Sequence, residues 1–287
     1  MKINWFPGHM KKTLSMMRDE VKDIDAIIYV LDARAPYSSL NPSFLGIIKE
    51  KPIIFVLNKA DLVEKDALAP FLQKLEKRPK SDVIVLEATK SMSKQKIISS
   101  LEKVLKEKIE YFKSKGARIT QKAMIIGIPN SGKSTLANTL AGKVKAETGN
   151  RAGVTKSKQW IKVNPYLEVL DTPGTLWPSL SNVKVAENLA FIGSIKSEVL
   201  DAEELAFAFV SRIRKFDKEC LQKRYGIQID DADEVLDILT KIAQQKGFKI
   251  KGGEFDIERV YTTLLIDYKN GKLTRKILDG PEVLCRL

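Results

Sequence analysis

The chain has 287 residues, of which 44% are hydrophobic and 30% are charged, and this composition is typical of a soluble globular protein with one or two domains. Its longest apolar runs fall far short of the roughly 18 residues that a membrane helix needs, no signal peptide is recognisable, and its two cysteines cannot form a disulfide framework, so we expect a cytoplasmic protein. The net charge of +13 indicates a polyanionic partner such as nucleic acid, an anionic membrane or a nucleotide, with a merely Lys-rich composition as the alternative.

Up to about residue 175, short β-branched runs alternate with helical patterns. The predicted strands are residues 26–31, 53–57, 83–86, 123–126, 159–163 and 167–170, and the predicted helices lie near residues 64–76, 93–112 and 132–141. Several strand runs are apolar nearly throughout, which is typical of a parallel sheet covered on both faces. Strand–helix alternation of this kind predicts an α/β sheet with right-handed crossovers.

After residue 178 the pattern becomes helical. Apolar residues recur at helical spacing over residues 235–242 and 257–268, and no convincing strand run follows. We therefore predict two domains, residues 1–178 with the sheet and residues 179–287 as a small all-helical domain.

An eight-residue motif that is typical of phosphate binding follows the predicted strand at 123–126. Residues 127–134 read G-I-P-N-S-G-K-S and match G-x-x-x-x-G-K-[ST], with a predicted helix directly after them. In such a loop successive backbone N–H groups face an anion, and the helix N-terminus adds positive potential. We expect Lys133 to reach the β- and γ-phosphates and act in catalysis, and the Ser134 hydroxyl to ligate Mg²⁺. The predicted nucleotide contacts of this loop are Asn130, Ser131, Gly132, Lys133, Ser134 and Thr135.

A second motif, N-K-A-D at residues 58–61, follows the predicted strand at 53–57 and indicates guanine as the base. The Asp61 carboxylate can accept from both N1–H and the 2-amino group of guanine, whereas adenine offers neither donor there. Residues 88–90, Ala-Thr-Lys, loosely match a loop whose backbone N–H contacts the guanine carbonyl. We therefore predict GTP as the substrate, with base contacts from Asn58, Lys59, Asp61, Ala88 and Thr89.

A third motif, D-T-P-G at residues 171–174, begins 37 residues after Ser134, although the same four residues also suit an ordinary turn. We expect Asp171 to hold Mg²⁺, through water, and the Gly174 N–H to meet the γ-phosphate. Between the two motifs, Thr155 is the candidate for a catalytic switch threonine that closes on Mg²⁺ and the γ-phosphate, and an exposed loop threonine is the alternative.

The order of the motifs is unusual, because the guanine motif precedes the phosphate loop. A chain with this rearranged motif order can still form the sheet of GTPases with the usual order, since a fold depends on contacts rather than on where the chain starts. The sequence thus predicts a P-loop NTPase parallel sheet in circularly permuted order, followed by a small all-α domain. Since the D-T-P-G segment leads straight into that domain, we hypothesise that the nucleotide state moves the domain as a lever.

These motifs together resemble the bacterial ribosome biogenesis GTPase A family, over nearly the whole chain. Segments outside the nucleotide motifs that carry the resemblance are residues 5–10 (W-F-P-G-H-M), 32–34 (D-A-R), Pro36, 41–42 (N-P), 153–155 (G-V-T), 177–178 (W-P), 252–254 (G-G-E), Asp256 and 267–273. The resemblance implies GTP hydrolysis coupled to binding a large ribosomal subunit precursor, with a helical RNA-binding domain and with neither a membrane nor a DNA partner.

The resemblance also bears on three residues. Position 175, where Ras-like enzymes have a water-positioning glutamine, holds Thr175. The family opening then implies a catalytic, water-orienting role for His9, for which an ordinary turn residue is the alternative. Asn130 resembles the asparagine of GTPases that bind K⁺ beside the phosphates, and a backbone-capping asparagine is the alternative.

Two other functions stay open for the protein: a nucleotide-gated RNA-binding module with little hydrolysis, and a GTPase acting on another RNA or ribonucleoprotein.

Positive charge is concentrated in the middle of the chain. Residues 1–100 carry +5, residues 101–180 carry +8 and residues 181–287 sum to zero, counting Lys, Arg, Asp and Glu. The basic residues that crowd together there are Lys113, Lys115, Arg118, Lys122, Lys143, Lys145, Arg151, Lys156 and Lys158. We expect this cluster to contact RNA.

Overall fold

A computed structural model describes residues 8–48, 51–142, 158–178 and 180–280. One six-stranded sheet lies at its centre, with the order β3-β2-β1-β4-β6-β5. The strands are β1 (Ala26–Asp32), β2 (Ile53–Asn58), β3 (Ser81–Val85), β4 (Gln121–Ile126), β5 (Gln159–Asn164) and β6 (Leu167–Asp171). Each predicted strand is confirmed to within about two residues, and the α/β class with it.

The edge strand β5 differs from the predicted parallel arrangement. It runs antiparallel to β6, whereas β1, β2, β3, β4 and β6 are mutually parallel. Only residues 165–166 connect β5 to β6. Two residues can close a hairpin between antiparallel neighbours but cannot make the crossover that parallel strands need.

Ten α-helices are present in the described residues. They are α1 (Gly8–Glu20), α2 (Pro42–Ile48), α3 (Ala69–Glu76), α4 (Met92–Val104), α5 (Lys106–Ser114), α6 (Lys133–Ala141), α7 (Val183–Phe191), α8 (Ala202–Tyr225), α9 (Val235–Lys246) and α10 (Ile257–Lys269). The helices predicted around 132–141, 235–242 and 257–268 are confirmed.

Two predicted helices differ from the structure in detail. The helical stretch predicted near 93–112 is confirmed but forms two helices, because the backbone leaves the helical region at Leu105 (φ −102°, ψ 8°) and separates α4 from α5. The helix predicted from residue 64 starts as a 3₁₀ turn, Lys65–Leu68, and becomes α-helical only at Ala69. Pro70 then falls in the first turn of α3, where its missing N–H has no partner to lose.

Each face of the sheet carries a core. On one face Ile28, Val56 and Ile125 pack with residues of α4 and α6. On the other face a larger core extends from the sheet to α8 and α10. All six strands precede residue 178, and in the described residues after it one isolated bridge, Lys249–Phe255, is the only β pairing. The boundary at 178/179 stays a prediction, since the larger core contains residues from both sides of it.

The sheet places the functional motifs at one edge. Because the carboxyl ends of parallel strands lie together, the residues that follow β1, β2, β3, β4 and β6 converge there. None of the helices within the described residues is both long enough and apolar enough to cross a membrane.

Candidate nucleotide-binding site

The phosphate-binding loop connects β4 to α6. Gly132 caps the amino end of α6 with φ +95°, a backbone conformation that residues other than glycine rarely adopt. A Cβ atom on Gly132 would lie 2.1 Å from Nδ2 of Asn58, so the loop also packs directly against the guanine motif. The amino end of α6 is thereby left facing the carboxyl edge of the sheet, as an anion site requires.

Lys133 is buried within this loop, and its Nζ donates a hydrogen bond to the Ile128 carbonyl oxygen at 2.7 Å. Burial lowers the pKa of Lys133 to about 8, and the charge of Asp171 acts in the opposite direction. Gly174 approaches so closely that a Cβ atom there would lie 2.7 Å from the Lys133 Nζ. The D-T-P-G segment therefore lies against the phosphate loop, as the motifs predicted.

Oxygen donors suited to a divalent cation meet beside the loop. The Ser134 hydroxyl donates to Oδ2 of Asp171 at 3.1 Å, while Oδ1 of Asp171 is buried without a hydrogen-bond partner among the described residues. Burial raises the pKa of Asp171, and the Lys133 charge opposes that shift. An orphaned carboxylate oxygen next to a hydroxyl fits Mg²⁺, which prefers oxygen ligands. In the part of the chain that the structure describes, no cluster of three or more His, Cys, Asp or Glu side chains offers another metal site.

Asn58 joins the guanine motif to both neighbouring loops. Its Nδ2 donates to the Ser131 carbonyl oxygen at 2.8 Å, and its Oδ1 accepts from the Ala88 N–H at 2.8 Å. Asp61 is exposed just beyond it, and Thr89 is exposed on the third loop. The three predicted loops thus come together at one place, and the Asp61 carboxylate is accessible to a base.

A buried ion-pair network lies beneath the guanine motif, and the sequence motifs did not assign it a role. The Asp32 carboxylate accepts from Arg34 Nε at 2.9 Å and Nη2 at 2.8 Å, and Lys59 Nζ lies 3.0 Å from its Oδ2. Burial opposes the charge on Asp32, but Arg34 and Lys59 outweigh it and hold the pKa of Asp32 well below its usual range. Lys59 also donates to the Asn130 carbonyl oxygen at 2.6 Å. The network therefore fixes Lys59 between β1 and the phosphate loop.

The helical part of the chain touches the phosphate loop directly. The Asn130 Nδ2 donates to the Ile192 carbonyl oxygen at 3.0 Å, and the Ser194 hydroxyl donates to the Pro129 carbonyl oxygen at 2.8 Å. Both acceptor and donor lie just after α7. The phosphate loop and the segment after α7 are therefore in direct contact.

The remaining predicted site residues are placed as follows. His9 is exposed on the first turn of α1, and its side chain makes no hydrogen bond within the described residues. Thr135 is half-buried on α6. Thr175 is buried, with its hydroxyl donating to the Leu176 carbonyl oxygen at 3.0 Å. Thr155, like Lys143, Lys145, Arg151 and Lys156 of the basic cluster, lies outside the described residues.

A phosphate loop and a guanine motif at the carboxyl edge of this sheet, in permuted chain order, define a circularly permuted P-loop GTPase. A family model described as "50S ribosome-binding GTPase" matches residues 122–245. Two solved structures of YlqF from T. maritima, one GDP-bound and one GNP-bound, share the fold with TM-scores of 0.65 and 0.64 at 24% and 23% identity. The matches cover 93% and 94% of this chain and 99% of each YlqF chain.

Curated relatives match over nearly the full length. Ribosome biogenesis GTPase A of Bacillus licheniformis is 36% identical over 286 residues, covering 98% of this chain and 99% of that protein. The probable ribosome biogenesis GTPase A of Mycoplasma genitalium is 31% identical, covering 96% of this chain and 97% of that protein. The chain therefore belongs to the ribosome biogenesis GTPase A family, and it is a GTPase.

Proposed function

We propose that this GTPase acts in the cytoplasm as an assembly factor for the large ribosomal subunit, and that the subunit precursor stimulates GTP hydrolysis. Family membership already gives a GTPase of ribosome biogenesis; the particular particle and its effect on the rate are the proposal. The description of the matching family model, "50S ribosome-binding GTPase", supports the large subunit. The charge of +13 suits a particle made largely of RNA.

The observation that carries the proposal is the contact between the phosphate loop and the residues after α7. Ser194 and the Ile192 carbonyl group hold Pro129 and Asn130 of the loop through hydrogen bonds. A particle that binds the helices acts on the loop through these bonds, and a change of nucleotide acts on the helices in the reverse direction.

In this proposal each motif residue has one task. Asp61 accepts from guanine, Lys133 neutralises charge on the β- and γ-phosphates, and the Gly174 N–H donates to the γ-phosphate. The other base and phosphate contacts come from Asn58, Lys59, Ala88, Thr89, Asn130, Ser131, Gly132, Ser134 and Thr135. Ser134, Thr155 and Asp171 would hold Mg²⁺, which would neutralise negative charge on the phosphates. His9 orients the attacking water.

We further propose that Asn130 serves a K⁺ ion beside the phosphates. The Ile192 carbonyl oxygen holds the amide nitrogen of Asn130, so the amide oxygen points to the other side of the group. That oxygen is the atom that a cation would use. A K⁺ ion held there adds positive charge near the transferring phosphoryl group, which is the task of an arginine finger in other GTPases.

The experiment that tests this function is GTP turnover with large-subunit precursors, with small subunits as the control particle, in KCl and in NaCl. We expect large-subunit precursors, but not small subunits, to raise GTP turnover by at least about tenfold. The stimulated rate should be higher in KCl than in NaCl. Equal rates in KCl and NaCl would contradict the proposed K⁺ site at Asn130. Tight nucleotide-dependent RNA binding without stimulation would instead favour the RNA-binding module, and stimulation only by another RNA would move the protein to a different particle.

Base recognition gives a separate test. Asp61→Asn replaces a carboxylate acceptor by an amide, and because a charged hydrogen bond contributes about 1.5–3 kcal/mol, GTP affinity should fall at least about tenfold. XTP, which has a carbonyl group at position 2, should bind the variant better than GTP does. Calorimetric titration of both nucleotides measures this, with the exposed Asp66→Asn as control. Undiminished GTP affinity together with no gain for XTP would show that Asp61 does not read the base.

A further inference from the structure

Three aromatic side chains are exposed on elements next to β4 and β6 in the sheet-bearing part of the chain. The exposed fractions are 53% for Tyr111, 45% for Tyr166 and 39% for Trp160. Tyr111 exposes more than half of its surface, and the other two rings expose more than a third. A group of exposed rings is typical of a binding surface. The nucleotide site uses none of them.

Each of these rings has a basic side chain over it. The pairs, with the distance from the charged group to the ring centre, are Lys115–Tyr111 at 4.5 Å, Arg118–Tyr166 at 5.6 Å and Lys122–Trp160 at 5.7 Å. We call these six residues the aromatic–basic strip. All three distances are in the cation–π range. Every ring in the strip is therefore accompanied by a positive charge.

Local structure connects the elements that carry the strip. Tyr111 lies on α5, and the Gln121 N–H donates to the Tyr166 carbonyl oxygen at 2.8 Å, which ties the start of β4 to the β5–β6 turn. Between α5 and that turn is an open groove of about 470 Å³. Its lining includes the rings of Phe112 and Tyr166 and three cations, Lys106, Lys113 and Arg118, together with two carboxylates of α4 and α5, Glu102 and Glu110. Trp160 lies on the edge strand β5 and is connected to this region through Lys122 of β4, which lies over its ring.

The charge of the strip identifies the kind of partner. Residues 111–122 contain four cations, Lys113, Lys115, Arg118 and Lys122, and no carboxylate. Phosphate groups complement such a segment, and flat bases complement exposed rings. In a duplex the bases are stacked on one another and are not available to rings, whereas single-stranded RNA presents them. A protein partner would satisfy the rings but would need a strongly acidic surface to satisfy the cations.

We propose that the aromatic–basic strip binds single-stranded RNA, with unpaired bases stacking on Tyr111, Tyr166 and Trp160 and phosphates contacting the cations beside them. The proposal rests on the proposed function only in taking RNA as the partner. Tyr111 and Tyr166 lie near the amino end of β4, while the phosphate loop follows its carboxyl end. Changes at Tyr111 and Tyr166 should therefore leave GTP turnover by the free protein unchanged.

The test uses the full-length protein and a fluorescein-labelled 12-nucleotide single-stranded RNA of mixed sequence, followed by anisotropy. We expect Tyr166→Leu and Trp160→Leu each to weaken binding at least about fivefold, since base–aromatic stacking makes a contribution of that size. The variants should fold as the parent does, because the replaced rings are exposed. The RNA should also quench tryptophan fluorescence in the parent and lose that effect in Trp160→Leu.

The salt dependence of RNA affinity tests whether the cations of the strip contact phosphates. Replacing Lys115, Arg118 and Lys122 together by Gln should reduce the slope of log affinity against log salt by about 2, because each phosphate contact on a single strand contributes about 0.7. Lys96→Gln, on the exposed side of α4, is the matched control and should leave the slope unchanged.

Three results would overturn the proposal. One is full RNA affinity in the two aromatic variants; another is a loss caused by Phe255→Leu, an exposed ring of the helical part, but not by the strip variants. The third is no single-strand affinity in the parent, which would assign the strip to a protein contact. GTP turnover of the parent with and without large-subunit precursors separates these results from a failure of the proposed function, because that failure would appear as absent stimulation while the RNA-binding results stay unchanged.

Discussion

GTP hydrolysis should fall by at least about 100-fold in Lys133→Ala, because preorganised donors aimed at the reacting phosphates each contribute on this scale. Lys133 Nζ lies at the start of α6, hydrogen-bonded to the Ile128 carbonyl oxygen and next to Gly174. Its burial, with a pKa lowered to about 8, means that the folded protein holds a cation there at a cost in free energy. A bound phosphate group would compensate that cost.

The same burial predicts that the loss is not caused by unfolding. Removing the buried cation relieves its desolvation but leaves the Ile128 carbonyl oxygen without its donor, so the melting temperature should fall modestly while the circular dichroism spectrum stays native. The exposed Lys65→Ala is the matched control for loss of one positive charge. Single-turnover hydrolysis and GDP titration measure the effect. If Lys133→Ala turns over GTP within about twofold of the parent, this loop is not the active site.

The strands and the nucleotide motifs were predictable because their signals are local. The runs at β1 and β2 are buried along their whole length and are β-branched or aromatic in large part. Each motif follows such a run directly, so the rule that parallel strands end at one edge was enough to bring residues 58–61, 127–134 and 171–174 together.

The helix α1 was missed although its signal is in the sequence. Met10, Leu14 and Met17 are buried at helical spacing, but the P-G pair at residues 7–8 favoured reading this segment as a turn. The break between α4 and α5 had no such signal, because Leu105 is apolar and fits the core on either side of it.

The ion-pair network of Asp32, Arg34 and Lys59 could not be predicted from local pattern. Its members lie on two strand ends that are 27 residues apart in the chain (59 − 32), and their pairing depends on the register of β1 and β2, in which Asp32 is opposite Asn58. The hydrogen bonds from Asn130 and Ser194 are likewise products of tertiary packing. Both features connect the nucleotide motifs to the rest of the molecule, and neither has a sequence signature of its own.

Hydrolysis stimulated by the ribosomal particle should fall about 10²–10⁴-fold in His9→Ala, which is the usual contribution of a positioned group to proton transfer. The structure makes this substitution mild for the fold. His9 is exposed on the first turn of α1, and the turn is held by the buried Met10 and by the Thr13 hydroxyl, which donates to the His9 carbonyl oxygen at 2.9 Å. Thr175, at the position of the Ras-like glutamine, is buried, and its hydroxyl donates to the carbonyl oxygen of the next residue, Leu176.

A water-orienting role and a structural role for His9 predict different results. If His9 orients water only in the particle complex, His9→Ala should keep GTP affinity, unstimulated turnover and GTP-dependent particle binding, and lose only the stimulated rate. His9→Gln should recover part of that rate, since an amide can also orient water, while Lys12→Ala, an exposed neighbour on α1, should behave as the parent. The rate of particle-stimulated GTP turnover in KCl distinguishes the water-orienting role of His9 from a structural role. Full stimulation in His9→Ala would mean that K⁺ at Asn130 or a group of the particle itself positions the water, because Thr175 is not exposed to do so.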